Sequence, residues 1–196
     1  MRLSNTAHTT RPWRIHALTP DFRVEDVWAL PTPGGPGDLP RLVRQMSSGE
    51  GGFSGAARAL FALRWKLGRL FGWDGPRTGV GARVHSLRER LPADLRDGER
   101  GPDLRAVPLT SVFLTGDEWV AETANRTVHT LMHIGWVPDG SGGFSAQMAV
   151  LVKPNGLFGT AYMAAIRPFR HLIVDPALVR LIGRGWRERS GEPSAA

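Results

Sequence analysis

The sequence predicts an α+β fold in which an antiparallel β-sheet packs against a long, kinked C-terminal helix. Between Val107 and Lys153, apolar and polar residues alternate with the period of two that is typical of strands. An apolar segment with little charge, Leu157–Ile166, follows directly and predicts a helix, which Pro168 should kink. Strands in series followed by a covering helix are typical of a sheet with a helix on one face. An apolar pocket can lie between two such layers.

The composition fits a single domain that spans residues 1–196. Of these residues 41% are hydrophobic, so the chain can bury a core of its own. It has no cysteine, which excludes disulfides, thiolate nucleophiles and cysteine-ligated zinc. The N-terminus lacks the apolar segment of a signal peptide, and no apolar run approaches the roughly 20 residues of a membrane span. We therefore expect a cytoplasmic protein without a transmembrane segment.

The net charge of +7 invites the hypothesis of a nucleic-acid partner. However, the basic residues are dispersed along the chain, and the strand-rich stretch 101–150 carries only 2 of them against 5 acidic residues. A sheet that binds RNA needs basic and aromatic side chains on its strands. Nucleic acid is therefore not the expected partner.

The N-terminal half is predicted to be largely helical. Thr19 as the N-cap and Pro20 at the first helical position begin a helix that runs to about Leu30. The elements around it are a flexible arm at 1–12, an edge strand at Trp13–Leu18, a loop rich in proline and glycine at 30–40, and a short helix at Leu39–Met46.

The segment Ser54–Trp73 predicts the clearest helix of this half. Its leucines recur at helical spacing, at Leu60, Leu63, Leu67 and Leu70. We expect this helix to lie on the sheet, although it could instead offer a basic surface to a partner, a second copy or a membrane. Ser86, with Glu89 three residues later, predicts a further short helix that begins with a capping box.

Four strands are predicted from the alternation, at about 108–115, 118–123, 127–137 and 143–153. The sequence PDGSG at 138–142 predicts a hairpin between the last two strands. Asp175, followed by Pro176, predicts that the C-terminal helix restarts there. We expect the tail at 190–196 to be disordered.

Alternate residues of the predicted hairpin at 127–153 point to opposite faces. One face is apolar, and its Met132, Trp136 and Met148 are the expected wall of a ligand pocket. The other face is mixed and carries His129, His133 and Gln147.

His129 and His133 are candidates for a metal site or for general bases. Four residues of a strand span about 13 Å, at about 3.3 Å each, so the two rings cannot share one ion and we expect no metal. His133 and Glu118 are predicted acid–base residues if a pocket buries them. The alternative is that each lies on the surface of the sheet.

Two further candidates lie in the predicted C-terminal helix. Tyr162 is the only tyrosine and stands among apolar residues. Its hydroxyl could donate a proton or orient a ligand, or it could bond to a structural partner. Arg167, beside the Pro168 kink, could bind an anionic group of a ligand or satisfy a carbonyl that the kink frees.

Four stretches of the chain resemble a bacterial domain family of unknown function. They are WALPTPGG (28–35), RWKLG with GWD (64–74), ANRTVHTLMHIGWVPDG (124–140) and MAVLVKPNGLFGTAYMAAIRPFRH (148–171). This family occurs alone in actinobacteria and also behind a short-chain-dehydrogenase-like domain. It is similar to the START-like, helix-grip superfamily of polyketide cyclases and hydrophobic-ligand carriers. That resemblance implies a curved antiparallel sheet that grips a long C-terminal helix around a cavity.

We therefore expect a small-molecule module whose apolar pocket binds a hydrophobic, lipid- or polyketide-like ligand, with or without cofactor-independent cyclase or isomerase chemistry. The expected catalytic residues are Tyr162, His133 and Glu118. The expected ligand-binding residues are His129, Gln147, Arg167, Trp136, Met132 and Met148. Two alternatives remain open: a protein-interaction or homodimerisation module, and an electrostatic binder of nucleic acid or of a membrane surface.

Overall fold

The computed structural model describes residues 1–48, 80, 84–104, 109–125, 128–156 and 175–190. Three predicted features lie outside these residues: the helix at Ser54–Trp73, the helix at Leu157–Ile166 and its kink at Pro168. The disorder predicted for the tail lies almost entirely outside them as well.

The described residues form six strands and a small set of helices. The strands are β1 (Arg2–Leu3), β2 (Arg23–Ala29), β3 (Thr110–Leu114), β4 (Glu118–Ala124), β5 (Val128–Pro138) and β6 (Phe144–Pro154). The α-helices are α1 (Thr6–Thr9), α2 (Arg14–Leu18), α3 (Leu39–Ser48), α4 (Ala93–Arg96) and α5 (Asp175–Ser190), and a 3-10 turn covers Leu87–Arg90.

The six strands form one open antiparallel sheet in the order β1-β2-β6-β5-β4-β3. The α+β class and the four strands β3 to β6 are therefore as predicted. The hairpin between β5 and β6 turns at Asp139, whose carboxylate accepts the backbone N–H groups of Ser141 and Gly143 at 2.8 and 3.1 Å. Gly140 and Gly142 supply the positive φ angles that this turn requires.

The prediction for residues 13–30 is wrong. The segment Trp13–Leu18 contains α2 instead of an edge strand, and the predicted helix from Thr19 to Leu30 is occupied by β2. The hydroxyl of Thr19 donates to the carbonyl of Ile15 at 2.8 Å, so this residue closes α2 and does not open a new helix. β2 forms because it pairs with β6, a long-range contact that outweighs the local capping signals.

The N-terminal segment 1–12 is also not a loose arm. β1 pairs with β2, and the carbonyl of Met1 accepts the N–H of Ala29 at 2.8 Å. α1 places the His8 side chain in the interior, with none of its surface exposed. We call residues 1–18 the arm from here on.

Two other predicted helix starts are confirmed. α3 begins at Leu39, where the predicted helix begins, and the hydroxyl of Ser86 accepts the N–H of Arg88 at the start of the 3-10 turn. α5 covers Asp175–Ser190, and these 16 residues are the C-terminal helix that the structure describes. A long helix with a kink is not among the described residues.

Each face of the sheet is covered by its own layer. On one side, which we call the helix face, the sheet packs against α3 and α5. On the other, the arm face, it packs against α2 and the segment 87–95. The helix face presents Trp28, Trp119, Met132, Ile134, Trp136 and Met148. The arm face presents Val27, Val120, Leu131, Val137, Ala149 and Leu151.

Within the described ranges, no helix is long and apolar enough to cross a membrane.

Candidate functional site

Glu118 and His133 meet in the interior of the arm face. In the register of β4 and β5, Glu118 lies opposite Gly135 and Val120 lies opposite His133, so both polar side chains project to the same side. Nε2 of His133 is 3.2 Å from Oε2 of Glu118. Glu118 is 1% exposed and His133 is 0% exposed.

The arm supplies two further hydrogen bonds to this carboxylate. The backbone N–H groups of Arg14 and Ile15, at the start of α2, donate to Oε1 and Oε2 of Glu118 at 2.7 and 3.3 Å. A buried carboxylate is costly unless donors surround it. Glu118 therefore fixes the first turn of α2 on the sheet, and α2 in turn satisfies Glu118.

A chain of histidines extends from Glu118 toward the surface. Nδ1 of His133 is 3.1 Å from Nε2 of His8, and Nδ1 of His8 is 3.2 Å from Nε2 of His16. His8 is fully buried, whereas His16 is partly exposed. Four ionisable side chains thus form one hydrogen-bonded line from the molecular surface to a buried acid.

Burial holds these outer histidines in the neutral form. It lowers the pKa of His8 from 6.5 to about 3, and unfavourable interactions with His133 and His16 add to this effect. Burial also lowers the pKa of His16, again with a contribution from His133, while the charge of Glu118 acts in the opposite direction.

A second acid–histidine pair lies further along the same two strands. Nε2 of His129 is 2.8 Å from Oε2 of Glu122, and the N–H of Leu87 donates to the same oxygen at 2.9 Å. The Ser86 hydroxyl donates to Oε1 of Glu122. Burial by itself raises the pKa of Glu122, but the hydrogen bonds from His129, Leu87 and Ser86 outweigh it, so the pKa is lowered overall. This pair anchors the segment that begins at Ser86 to the sheet.

Two buried polar atoms of the arm face have no hydrogen-bond partner among the described residues. They are Oε1 of Gln147, a residue 4% exposed, and Nε1 of Trp13. Gly135 pairs with both Glu118 and Gln147, and the Trp13 ring lies so close to it that a Cβ there would come within 2.6 Å. Buried polar groups are nearly always satisfied, so a water or a ligand group is expected beside these atoms.

The predicted apolar wall lies on the opposite face of the sheet. Met132, Trp136 and Met148 pack in the cluster that includes α5, and the Trp136 ring meets the Trp186 ring edge-on with 6.1 Å between centroids. The indole N–H of Trp136 donates to the carbonyl of Gly35 at 2.9 Å.

The helix face also contains two polar features that sequence reasoning missed. Trp28 is 8% exposed, and its indole N–H has no hydrogen-bond partner among the described residues. Asp26, two residues earlier on β2, is fully buried, and its carboxylate accepts from Arg2 at 3.1 Å. Trp28 and Asp26 share a face because β2 is a strand. The sequence predicted a helix here, so this pairing was missed.

The family model of a protein of unknown function, DUF2867, matches residues 18–177. The chain belongs to the DUF2867 family. Membership in a domain family of unknown function was predicted from the sequence and is confirmed. No curated protein and no solved structure matches the chain.

The DUF2867 match divides the histidine chain. Glu118 and His133 lie within the matched residues, whereas His8 and His16 come before them. The inner half of the line thus belongs to the family domain, and its outer half belongs to the arm.

The predicted site residues of this DUF2867 chain fall into three sets. Four of them, Glu118, His133, His129 and Gln147, lie on the arm face. Three of them, Trp136, Met132 and Met148, lie on the helix face. Tyr162 and Arg167 lie outside the described residues. Sequence reasoning missed His8 and His16 because nothing in a short helix of the arm signals that it docks on a distant strand.

Within the part of the chain that the structure describes, no three histidine or acidic side chains are grouped so that they could hold a metal ion. His129 and His133 each bond to a different carboxylate.

Proposed function

We propose that the protein is a small-molecule module that binds a hydrophobic, lipid- or polyketide-like ligand between the helix face of its sheet and the C-terminal helix. The proposed ligand position is the one that the resemblance to START-like, helix-grip proteins implies. The order of layers supports the proposal, because α3 and α5 both cover the apolar face of an open antiparallel sheet.

The observation that carries the proposal is the N–H of Trp28, which has no partner among the described residues. The other described indoles on this face are satisfied: Trp119 donates to Ser111, Trp136 to Gly35 and Trp186 to Pro33. A ligand carbonyl or hydroxyl is the acceptor that would satisfy Trp28 in an otherwise apolar wall.

The neighbours of Trp28 suit an apolar ligand with one polar group. Trp28 pairs with Met148 on β6, and Met148 pairs with Ile134 on β5, so these side chains form one row across the sheet. Asp26 lies on the same face, held by Arg2, and is the acid nearest along β2. One polar anchor in an apolar wall fixes the orientation of a ligand while burial of its apolar surface supplies most of the affinity.

The catalytic part of the proposal rests on Tyr162. It would act as the acid of a cofactor-independent cyclase or isomerase reaction, and Arg167 would bind an anionic group of the ligand, which are the roles that the sequence predicts for these two residues. Glu118 and His133 do not reach a ligand on the helix face, because the sheet itself separates the two faces.

Native mass spectrometry of the protein purified from its own host tests the proposal. We expect a bound small molecule that adds one defined mass under native conditions and is lost on denaturation. The purified protein, stripped of this molecule, should bind the fluorescent fatty acid cis-parinaric acid with saturable affinity.

The matched variants are Trp28→Phe and Val27→Ala. Trp28→Phe removes the N–H and should weaken binding by up to about tenfold, since one neutral hydrogen bond contributes roughly 0.5–1.5 kcal/mol. Val27→Ala alters the arm face of the same strand and should leave binding unchanged. The proposal fails if no molecule co-purifies and the fatty acid does not bind, or if both variants weaken binding equally.

A further inference from the structure

The strongest unassigned feature of the molecule is the line of side chains beneath the arm. We propose that His16, His8 and His133 form a proton relay that connects solvent to the buried carboxylate of Glu118. The proposal concerns the arm face and does not depend on the ligand site of the helix face.

The geometry leaves one arrangement of protons when all three rings are neutral. An ionised Glu118 only accepts hydrogen bonds, so Nε2 of His133 must carry a proton and donate it. Nδ1 of His133 is then an acceptor, which requires the proton of His8 on Nε2. By the same argument His16 carries its proton on Nε2 and donates to Nδ1 of His8. All three histidines are therefore Nε2–H tautomers, and each Nε2–H group donates in the direction of Glu118.

This arrangement can pass one proton inward without leaving a charge on any ring. A proton from solvent binds Nδ1 of His16, and the Nε2 proton of His16 moves to Nδ1 of His8. The Nε2 proton of His8 then moves to Nδ1 of His133, and the Nε2 proton of His133 moves to Glu118. Each ring gains one proton and loses one, so Glu118 ends protonated and all rings become Nδ1–H tautomers. The reverse sequence returns the proton to solvent.

The surroundings of the three histidines favour transfer of the proton through His8 and not its retention there. Around His8, the ionisable groups that the structure records in contact are His133 on β5 and His16 on α2, and His133 in turn contacts Glu118 on β4. Neither ring neighbour of His8 is an anion that would stabilise an imidazolium there. A proton can therefore cross His8 but is not retained on it, in agreement with the lowered pKa of this ring.

The carboxylate that receives the proton lies opposite Gly135 in the sheet. Gly135 lies between Glu118 and Gln147 in the sheet, and the buried Oε1 of Gln147 and Nε1 of Trp13, which lack a partner among the described residues, belong to side chains that adjoin this glycine. Glu118 is in this proposal an acid–base group with its own path to solvent.

The test measures the tautomer of each histidine by long-range ¹H–¹⁵N NMR of the full chain labelled in its imidazole nitrogens. At neutral pH we expect His133, His8 and His16 as Nε2–H tautomers. As the pH falls, His8 should change from the Nε2–H to the Nδ1–H tautomer while remaining neutral. Such a change is the signature of a proton that passes through the ring.

The variant Glu118→Gln provides an independent test at constant pH. The carbonyl of the new amide should keep the N–H of Arg14, the closer of the two backbone donors, which turns the amide N–H group toward His133. Nε2 of His133 must then accept, and all three rings should invert to Nδ1–H tautomers. Glu122→Gln is the matched control, because Glu122 bonds to His129 and its replacement should leave His8 and His16 unchanged.

The relay is refuted if His8 in the wild-type protein keeps one tautomer throughout the titration, or if it becomes an imidazolium well above its pKa of about 3. It is also refuted if Glu118→Gln alters His133 but leaves His8 and His16 as they were. A melting curve and an amide spectrum of Glu118→Gln confirm that the variant is folded before its tautomers are assigned.

Discussion

Acidification should destabilise this protein mainly through one buried ring, that of His8. Its pKa is 6.5 in the unfolded chain and about 3 in the folded protein. Between these two values the His8 ring is protonated in the unfolded chain and neutral in the folded protein. Stability is therefore fully present above pH 6.5 and falls as the pH is lowered toward the folded pKa.

The size of the effect follows from proton linkage. One proton taken up only by the unfolded chain lowers the free energy of unfolding by about 1.36 kcal/mol per pH unit below about 6.5, or about 2 kcal/mol at pH 5. The pKa of His16 is lowered as well, so its contribution has the same sign, although its partial exposure makes that contribution smaller. A loss of this size is a substantial part of the stability of an ordinary domain, about 5–15 kcal/mol.

Urea unfolding monitored by tryptophan fluorescence at several pH values from about 7.5 to 5 measures this effect. His8→Phe removes the titrating group. Over this pH range the free energy of unfolding of the variant should therefore fall by about 2 kcal/mol less than that of the wild type. This difference does not depend on how stable the variant is at neutral pH. His85→Gln, at a side chain 88% exposed, is the control and should retain the wild-type slope. Equal slopes for the wild type and His8→Phe would refute the reasoning.

Two further predictions concern the contacts that hold the arm face together. Gly135→Ala should destabilise the protein by about 1–3 kcal/mol, because the new methyl group would meet the Trp13 ring, whereas Gly116→Ala, with open space around it, should have little effect in the same urea assay. Ser86→Ala removes both the cap of the 3-10 turn and a hydrogen bond to buried Glu122, so we expect a loss of about 1–2 kcal/mol, and a change below about 0.3 kcal/mol would contradict that role.

Local sequence patterns were sufficient to predict the second half of the sheet. β5 and β6 are neighbours in the chain, and the turn residues between them, with Gly140 and Gly142 at positive φ, specify the hairpin. The alternation also assigned Met132 and His133 to opposite faces, because the side-chain period of a strand is two whatever the strand packs against. The sequence did not decide whether Glu118 is buried, because the side-chain period of a strand does not show which layer covers each face.

Local patterns failed where a distant partner decided the structure. Thr19 and Pro20 match the sequence pattern of a helix start. The segment that follows them nevertheless pairs with β6, more than a hundred residues away. Buried strands gain from side-chain packing on both faces, and this gain outweighs a modest helix preference. For the same reason the arm could not be recognised as part of the core, because its Trp13, Ile15 and Leu18 are buried only by packing against distant elements.

By itself, therefore, the sequence determined the class of the fold, the strands β3 to β6, and which of their residues share a face. The tertiary structure alone decided that His8 meets His133, 125 residues away, and that the backbone of Arg14 meets Glu118, 104 residues away. Hydrogen bonds between such distant positions have no periodic signature, because they arise only when packing brings two separate elements together. The line of acid and histidines beneath the arm is a property of the folded chain.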